Sequence, residues 1–281
     1  MGPLAIPTEK RPMTDNSQKN GTGFAAATPP TANVITTDTE GLSAGWIDLD
    51  VDGQAIPVYR AQPAGQSDLP VVLVISEIFG VHEHIADVAR RFAKAGYLAL
   101  APQLFVRQGD PSAIADIPTL FRDIVSQAPD AQVNGDLDAC VAWAAQNGGN
   151  VDKLGITGFC WGGRVTWLYS SHNPKVKAGV AWYGRLAGDT NDKQTSQPVD
   201  VAPTLRVPVL GLYAAQDTGI PLDTVEQMKA ALARGSSGSA FVVYPDAGHA
   251  FYADYRPSYH AQDAQDGWKR SLDWFRRHGV A

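Results

Sequence analysis

The sequence predicts one α/β domain with a mostly parallel central sheet and helices on both of its faces. Two observations carry this. Short continuous apolar runs such as PVVLVISE (70–77), YLALAP (97–102) and VPVLGLYAAQD (207–217) have the length and composition of strands buried on both faces. Amphipathic stretches of helical period separate them, and buried strands alternating with such helices specify parallel βαβ units. With 281 residues, 44% of them hydrophobic and 19% charged, the chain has the length and apolar content for a core of that size.

The elements follow in order. Residues 1–45 stand apart: Pro, Thr, Asn, Gly and Ala dominate and no period persists, so they read as an irregular or flexible extension. Met13, which opens MTDNSQKN, is a candidate natural start. The domain proper is expected over 46–281. WIDLDVDG (46–53) and QAIPVYRA (54–61) alternate apolar and polar residues and are joined by Asp52-Gly53, a hairpin signal. PVVLVISE is the first buried strand. HIADVARRFAKAG (84–96) has apolar residues at helical spacing and stops at Gly96. YLALAP is the next strand, residues 114–128 and 133–147 read as helices, and VDKLGITGF (151–159) as a strand. CWGGRVTWLYSSH (160–172) looks helical, VKAGVAWYG (176–184) and VPVLGLYAAQD look like strands, and PLDTVEQMKAALARG (221–235) a helix. GSSGS (235–239) reads as a flexible loop, SAFVVYPDAG (239–248) as the last strand, and DAQDGWKRSLDWFRRHG (263–279) as a C-terminal helix. No internal repeat is apparent.

Charge and cysteine content narrow the function classes. Lys+Arg 23 against Asp+Glu 29 gives a net charge of −6, with no block of like charge. That balance argues against nucleic acid or an anionic membrane as partner. No apolar run approaches the roughly 18 residues of a spanning helix, and no basic region followed by an apolar one opens the chain. The two cysteines, Cys140 and Cys160, read as reduced intracellular thiols. The expectation is a soluble, cytoplasmic protein acting on a small molecule, with no cofactor and no metal; its oligomeric state stays open.

In open α/β sheets the ligand site lies beyond the carboxyl ends of the strands, so the polar residues there are the candidates. KLGIT runs into GFCWGG (158–163) and then into a helix. A nucleophile elbow needs this strand, turn and helix, with small residues two before and two after the nucleophile. Gly158 and Gly162 hold those places, and the helix N-terminus favours a thiolate at Cys160. Taken alone the hexapeptide leaves Cys160 open between nucleophile and buried packing residue. Asp217 ends VLGLYAAQD and fits either an acid that orients a histidine or a turn residue. His249, behind Gly248 after the last strand, fits either a base or a surface loop residue. Together they give nucleophile, acid and histidine, each past a different strand, in the chain order of α/β-hydrolases. Cys140, in the amphipathic DLDACVAWAAQ, has no glycine turn and reads as structural. No G-x-S-x-G occurs to supply a serine instead.

These motifs, ISEIFGVHEHI, APQLFVRQGD, GFCWGGR, AAQD and GHAFYADYRPSY, resemble the dienelactone hydrolases (carboxymethylenebutenolidases) of the α/β-hydrolase fold, from about Trp46 to the C-terminus. The resemblance implies a cysteine-dependent hydrolase of small esters or enol-lactones working through an acyl-enzyme on Cys160. It adds Glu77 as the acid that holds the resting cysteine, and the backbone N–H groups of Ile78 and Trp161 as the oxyanion hole. Arg107 matches an arginine that pairs with the substrate carboxylate. The family's second arginine falls at Ala253, with Arg256 the nearest substitute, and Tyr183 is expected to line the pocket. Three other readings compete. His82, Glu83 and His84 could suggest a metal site, but H-E-H lacks the i, i+4 pair of a helical metal motif. A hydrolase-like binding module is at odds with the intact Cys160, Asp217 and His249. A broad carboxylesterase is consistent with Ala253.

Overall fold

The first strand starts at Leu42, four residues ahead of the Trp46 at which the sequence pattern changes. The structure, a computed structural model, describes residues 34–114 and 116–281. Most of the expected extension, Met13 included, lies outside the described residues. β1 (Leu42–Val51) and β2 (Gln54–Pro63) form the expected hairpin. Asp52 and Gly53 turn it at φ 55° and 79°, the left-handed geometry a two-residue hairpin loop requires. Ahead of β1, Thr37 donates its N–H to Asp87 and accepts from Arg90 at 2.8 Å, so this part of the segment lies along the domain.

The parallel part follows as β3 (Leu69–Ile75), α1 (Glu83–Lys94), β4 (Leu98–Pro102), α2 (Ile117–Asp123), α3 (Asp130–Gln146), β5 (Gly149–Phe159), α4 (Trp161–His172) and β6 (Val176–Trp182). It continues through a short α5 (Pro198–Val201), β7 (Val209–Ala214), α6 (Leu222–Leu232), β8 (Ala240–Tyr244) and α7 (Ala261–Arg277). The sheet order is β1-β2-β4-β3-β5-β6-β7-β8. β2 is antiparallel to both its neighbours, and β3 to β8 are parallel throughout.

Period-2 alternation divides β3 between two cores. Val71, Leu73 and Ile75 face the core covered by α3, α4 and α6, whereas Val72 and Val74 face the one covered by α1 and α7. The helix expected over 114–128 is instead α2 between two 3-10 turns, Pro111–Ala113 and Val125–Gln127. Pro118 suits the first turn of α2, and Ala128 is held extended by the proline that follows it.

One buried face of α1 is charged. Arg91 reaches Asp87 at 2.6 Å and Asp254 at 2.5 Å, and Asp254 also meets His84 at 3.2 Å. A buried carboxylate without such partners would be strongly destabilising. The cluster therefore fastens the loop after β8 to α1. Among the described residues no helix is long and apolar enough to cross a membrane.

Candidate active site

Cys160 sits between β5 and α4 at φ 53° and ψ −114°, a conformation side-chain-bearing residues rarely adopt. Such strain costs on the order of 1–3 kcal/mol and persists only where the surroundings impose it. Two close approaches impose it here. A Cβ at Gly158 would stand 2.1 Å from the Gly162 carbonyl oxygen, and one at Gly162 would stand 2.4 Å from that of Ile75. From the third side, the Trp182 carbonyl accepts the Cys160 N–H at 3.0 Å. The half-buried sulfur is thus presented at the N-terminus of a three-turn helix.

The loops after β7 and β8 bring up Asp217 and His249, the acid and base the sequence suggests. Asp217 accepts the Gly219 and Ile220 N–H groups on Oδ1 at 2.8 and 3.1 Å, which leaves Oδ2 for His249 Nδ1 at 2.7 Å. His249, one third exposed, lies within electrostatic reach of Cys160. Burial disfavours its charged form, but the negative charge of Cys160 and the Asp217 carboxylate outweigh it and push its pKa up to about 10. Among the described residues the backbone N–H groups of Ile78 and Trp161 have no acceptor.

Glu77 emerges past β3 and is buried, yet it does not hold Cys160 as the resemblance implied. Its Oε2 lies 3.2 Å from His82 Nε2, and its Oε1 accepts from the Tyr255 hydroxyl at 3.2 Å. Burial would raise its pKa, but the charge and hydrogen bond of His82, with a contribution from His84, bring it down to about 2.

Tyr183 follows β6 directly at φ 38°, fully buried, with its ring edge-on to His249 at 5.3 Å. Its hydroxyl has no partner among the described residues, and burial together with Glu77 and Cys160 holds it protonated, its pKa well above the ordinary value.

The expected carboxylate-binding residues divide. Arg107 places Nη1 at 2.9 and 2.7 Å from the two oxygens of the buried Asp136, which ties it to α3. Arg256 is half-buried within electrostatic reach of Tyr183 and Tyr255, and forms no salt bridge among the described residues. Ala253, at the second arginine position, is fully buried. The H-E-H triplet disperses: His82 goes to Glu77, Glu83 to Arg90 and His84 to Asp254.

Sequence reasoning missed three supports of the site. His82 and Tyr255 were not identified as the partners of Glu77. Arg164, visible in GFCWGGR, is buried against Asp130 (2.8 and 3.1 Å), Gln197 and the Ser196 carbonyl, and locks the elbow helix to the start of α3. Its four-residue offset from Cys160 places it one helical turn on, which was the available signal.

Comparison with known proteins supports a hydrolase. The chain is 57% identical to a Methylorubrum extorquens protein over 92% of this chain and 90% of that one. It is 54% identical to an Escherichia coli protein over 92% and 96%. Both are named "Putative carboxymethylenebutenolidase". The crystal structure of a Klebsiella pneumoniae protein named "Putative Dienelactone Hydrolase" superposes with a TM-score of 0.83 at 54% identity, covering 84% of this chain and 99% of that one. A sequence model described as "Dienelactone hydrolase family" matches residues 56–279. This chain therefore belongs to the dienelactone hydrolase family, on the α/β-hydrolase fold.

Proposed function

We propose that this hydrolase cleaves small esters or enol-lactones through an acyl-enzyme on Cys160. The observation that carries the reading is the strained Cys160 within electrostatic reach of a His249 whose ring Asp217 holds at 2.7 Å. The Cys160 thiolate attacks the carbonyl carbon while the Ile78 and Trp161 N–H groups receive the developing oxyanion. The carbon–oxygen bond to the leaving group breaks, and the imidazolium of His249 gives that oxygen its proton. Neutral His249 then takes a proton from water, whose hydroxide attacks the thioester. Collapse of that second adduct releases the acid and returns thiolate and imidazolium. Asp217 fixes the ring through Nδ1 and stabilises its charge. A thiolate leaves as readily as it attacks, so activated esters and enol-lactones suit it better than amides.

A second reading, a broad carboxylesterase that prefers neutral esters, draws support from Arg107. Its engagement by Asp136 and the uncharged Ala253 leave Arg256 as the candidate anchor for an anionic substrate. Turnover of cis-dienelactone and of a neutral ester of equal size separates the two. Preference for the dienelactone that is lost in Arg256→Ala supports the first reading; preference for the neutral ester, unchanged by that substitution, supports the second. Activity surviving in Cys160→Ala rejects the cysteine mechanism in either form.

A further inference from the structure

Glu77 and Cys160 each lie two residues beyond a pair of register partners, Ile75 and Gly158, on adjacent parallel strands. Both side chains therefore emerge at the same end of the sheet, and the buried Tyr183 hydroxyl feels the charge of both. Two anions so placed disfavour each other unless each has its own cation. Cys160 has His249.

For Glu77 the surrounding groups are His82 and His84 from the start of α1, Tyr255 from the loop after β8, and Tyr183 directly after β6. Arg256 acts on the two tyrosines. Only His82 among these places a basic nitrogen within hydrogen-bond distance of the carboxylate, at 3.2 Å. His84 directs Nδ1 to Asp254 instead. The His82 ring is fixed by an edge contact with Tyr255 at 5.0 Å and a stacked one with His84 at 6.1 Å.

The geometry points to His82 as a positioning residue that parks Glu77: its Nε2 contact holds the carboxylate turned from Cys160, leaving the thiol proton to His249. The inference rests on the cysteine reading proposed above. Without the His82 charge, Glu77 becomes a competing proton acceptor and a like charge beside the thiolate. The thiol then holds its proton to higher pH.

The test is the pH dependence of iodoacetamide alkylation at Cys160, followed by mass spectrometry, beside the rate of ester cleavage. His82→Gln, which keeps a donor but removes the charge, is expected to slow alkylation about tenfold at pH 7. It moves the pH profile about one unit to the alkaline side, the equivalent of that factor. His82→Lys, which restores a cation, is expected to follow the wild type. The double variant His82→Gln/Glu77→Gln is expected to return to within about twofold of Glu77→Gln, by the usual logic of a coupled pair. An unchanged profile in His82→Gln, or the same loss in the double variant, overturns the inference. Failure of His82→Lys to differ from His82→Gln overturns it too. Wild-type Cys160 that resists alkylation would overturn the cysteine reading and this inference together. A reactive wild type with unaltered variants overturns this inference alone.

Discussion

Cys140 and Cys160 are the same side chain in two settings, and almost everything chemical about the molecule lies in that contrast. Cys140 is fully buried in α3, where burial and the nearby Asp136 push its pKa far up and hold it as a thiol. It behaves as a small apolar group of the core. Cys160 lies on a helix N-terminus, at positive φ, half-buried, within electrostatic reach of the His249 imidazole. The two settings differ in backbone geometry and in one neighbour, and these rather than the residue type govern how readily a thiol ionises.

The contrast can be broken most severely at Cys160 itself. Cys160→Ala is expected to reduce turnover of p-nitrophenyl acetate about 10⁴-fold or more, by analogy with loss of a triad nucleophile. Cys140→Ala should leave kcat within about twofold. Asp217→Asn comes next, with an expected loss of on the order of 10³- to 10⁴-fold in kcat, because the amide fixes the wrong imidazole tautomer. Gly158→Ala attacks the turn rather than the chemistry. A Cβ 2.1 Å from a backbone oxygen forces strand and helix apart, and a loss of at least about 3 kcal/mol is expected in denaturant unfolding.

Smaller effects sharpen the comparison from the structural side. Arg107→Ala leaves Asp136 buried without its cation, one helical turn from Cys140. It is expected to cost about 3 kcal/mol of stability while leaving KM for an anionic ester nearly unchanged. Raising and lowering the pH should act on two different groups around Cys160. His249 is raised in the folded protein, so its stabilisation is complete below the ordinary histidine value of 6.5 and is lost as pH rises through about 10. Glu77 is lowered, so its contribution is present above 4.5 and is lost as pH falls towards about 2. Thermal melts of wild type against His249→Gln and Glu77→Gln across pH 2 to 11 would show the two losses at opposite ends. The smallest effect is Cys140→Ala, about 1 kcal/mol for a small cavity.

The parts of the molecule that could be read from the chain are those whose cause is local. Apolar runs of strand length gave the parallel sheet, and Asp52-Gly53 gave its hairpin, because both signals lie within ten residues. GFCWGG is local in the same sense: its glycines are demanded by contacts among Gly158, Gly162 and the neighbouring strand end. The partners of Glu77 and Arg107 were not legible. Tyr255 is 178 residues from Glu77, and Asp136 is 29 from Arg107 on a helix whose charged face sequence periodicity does not mark. The break of the 114–128 helix has a local cause as well, because Pro118 suits a helix start and Pro129 holds Ala128 extended, which confines the helix to Ile117–Asp123.

The clamp of Asp254 by Arg91 joins residues 163 positions apart, and it sets a limit on redesign. The segment carrying His249 takes its shape from α1, an element made long before it in the chain. Grafted alone onto another sheet it would arrive without its anchor. Conversely, the Arg91–Asp254 pair can be transferred only as a unit with both segments, so recombination between relatives should cross elsewhere.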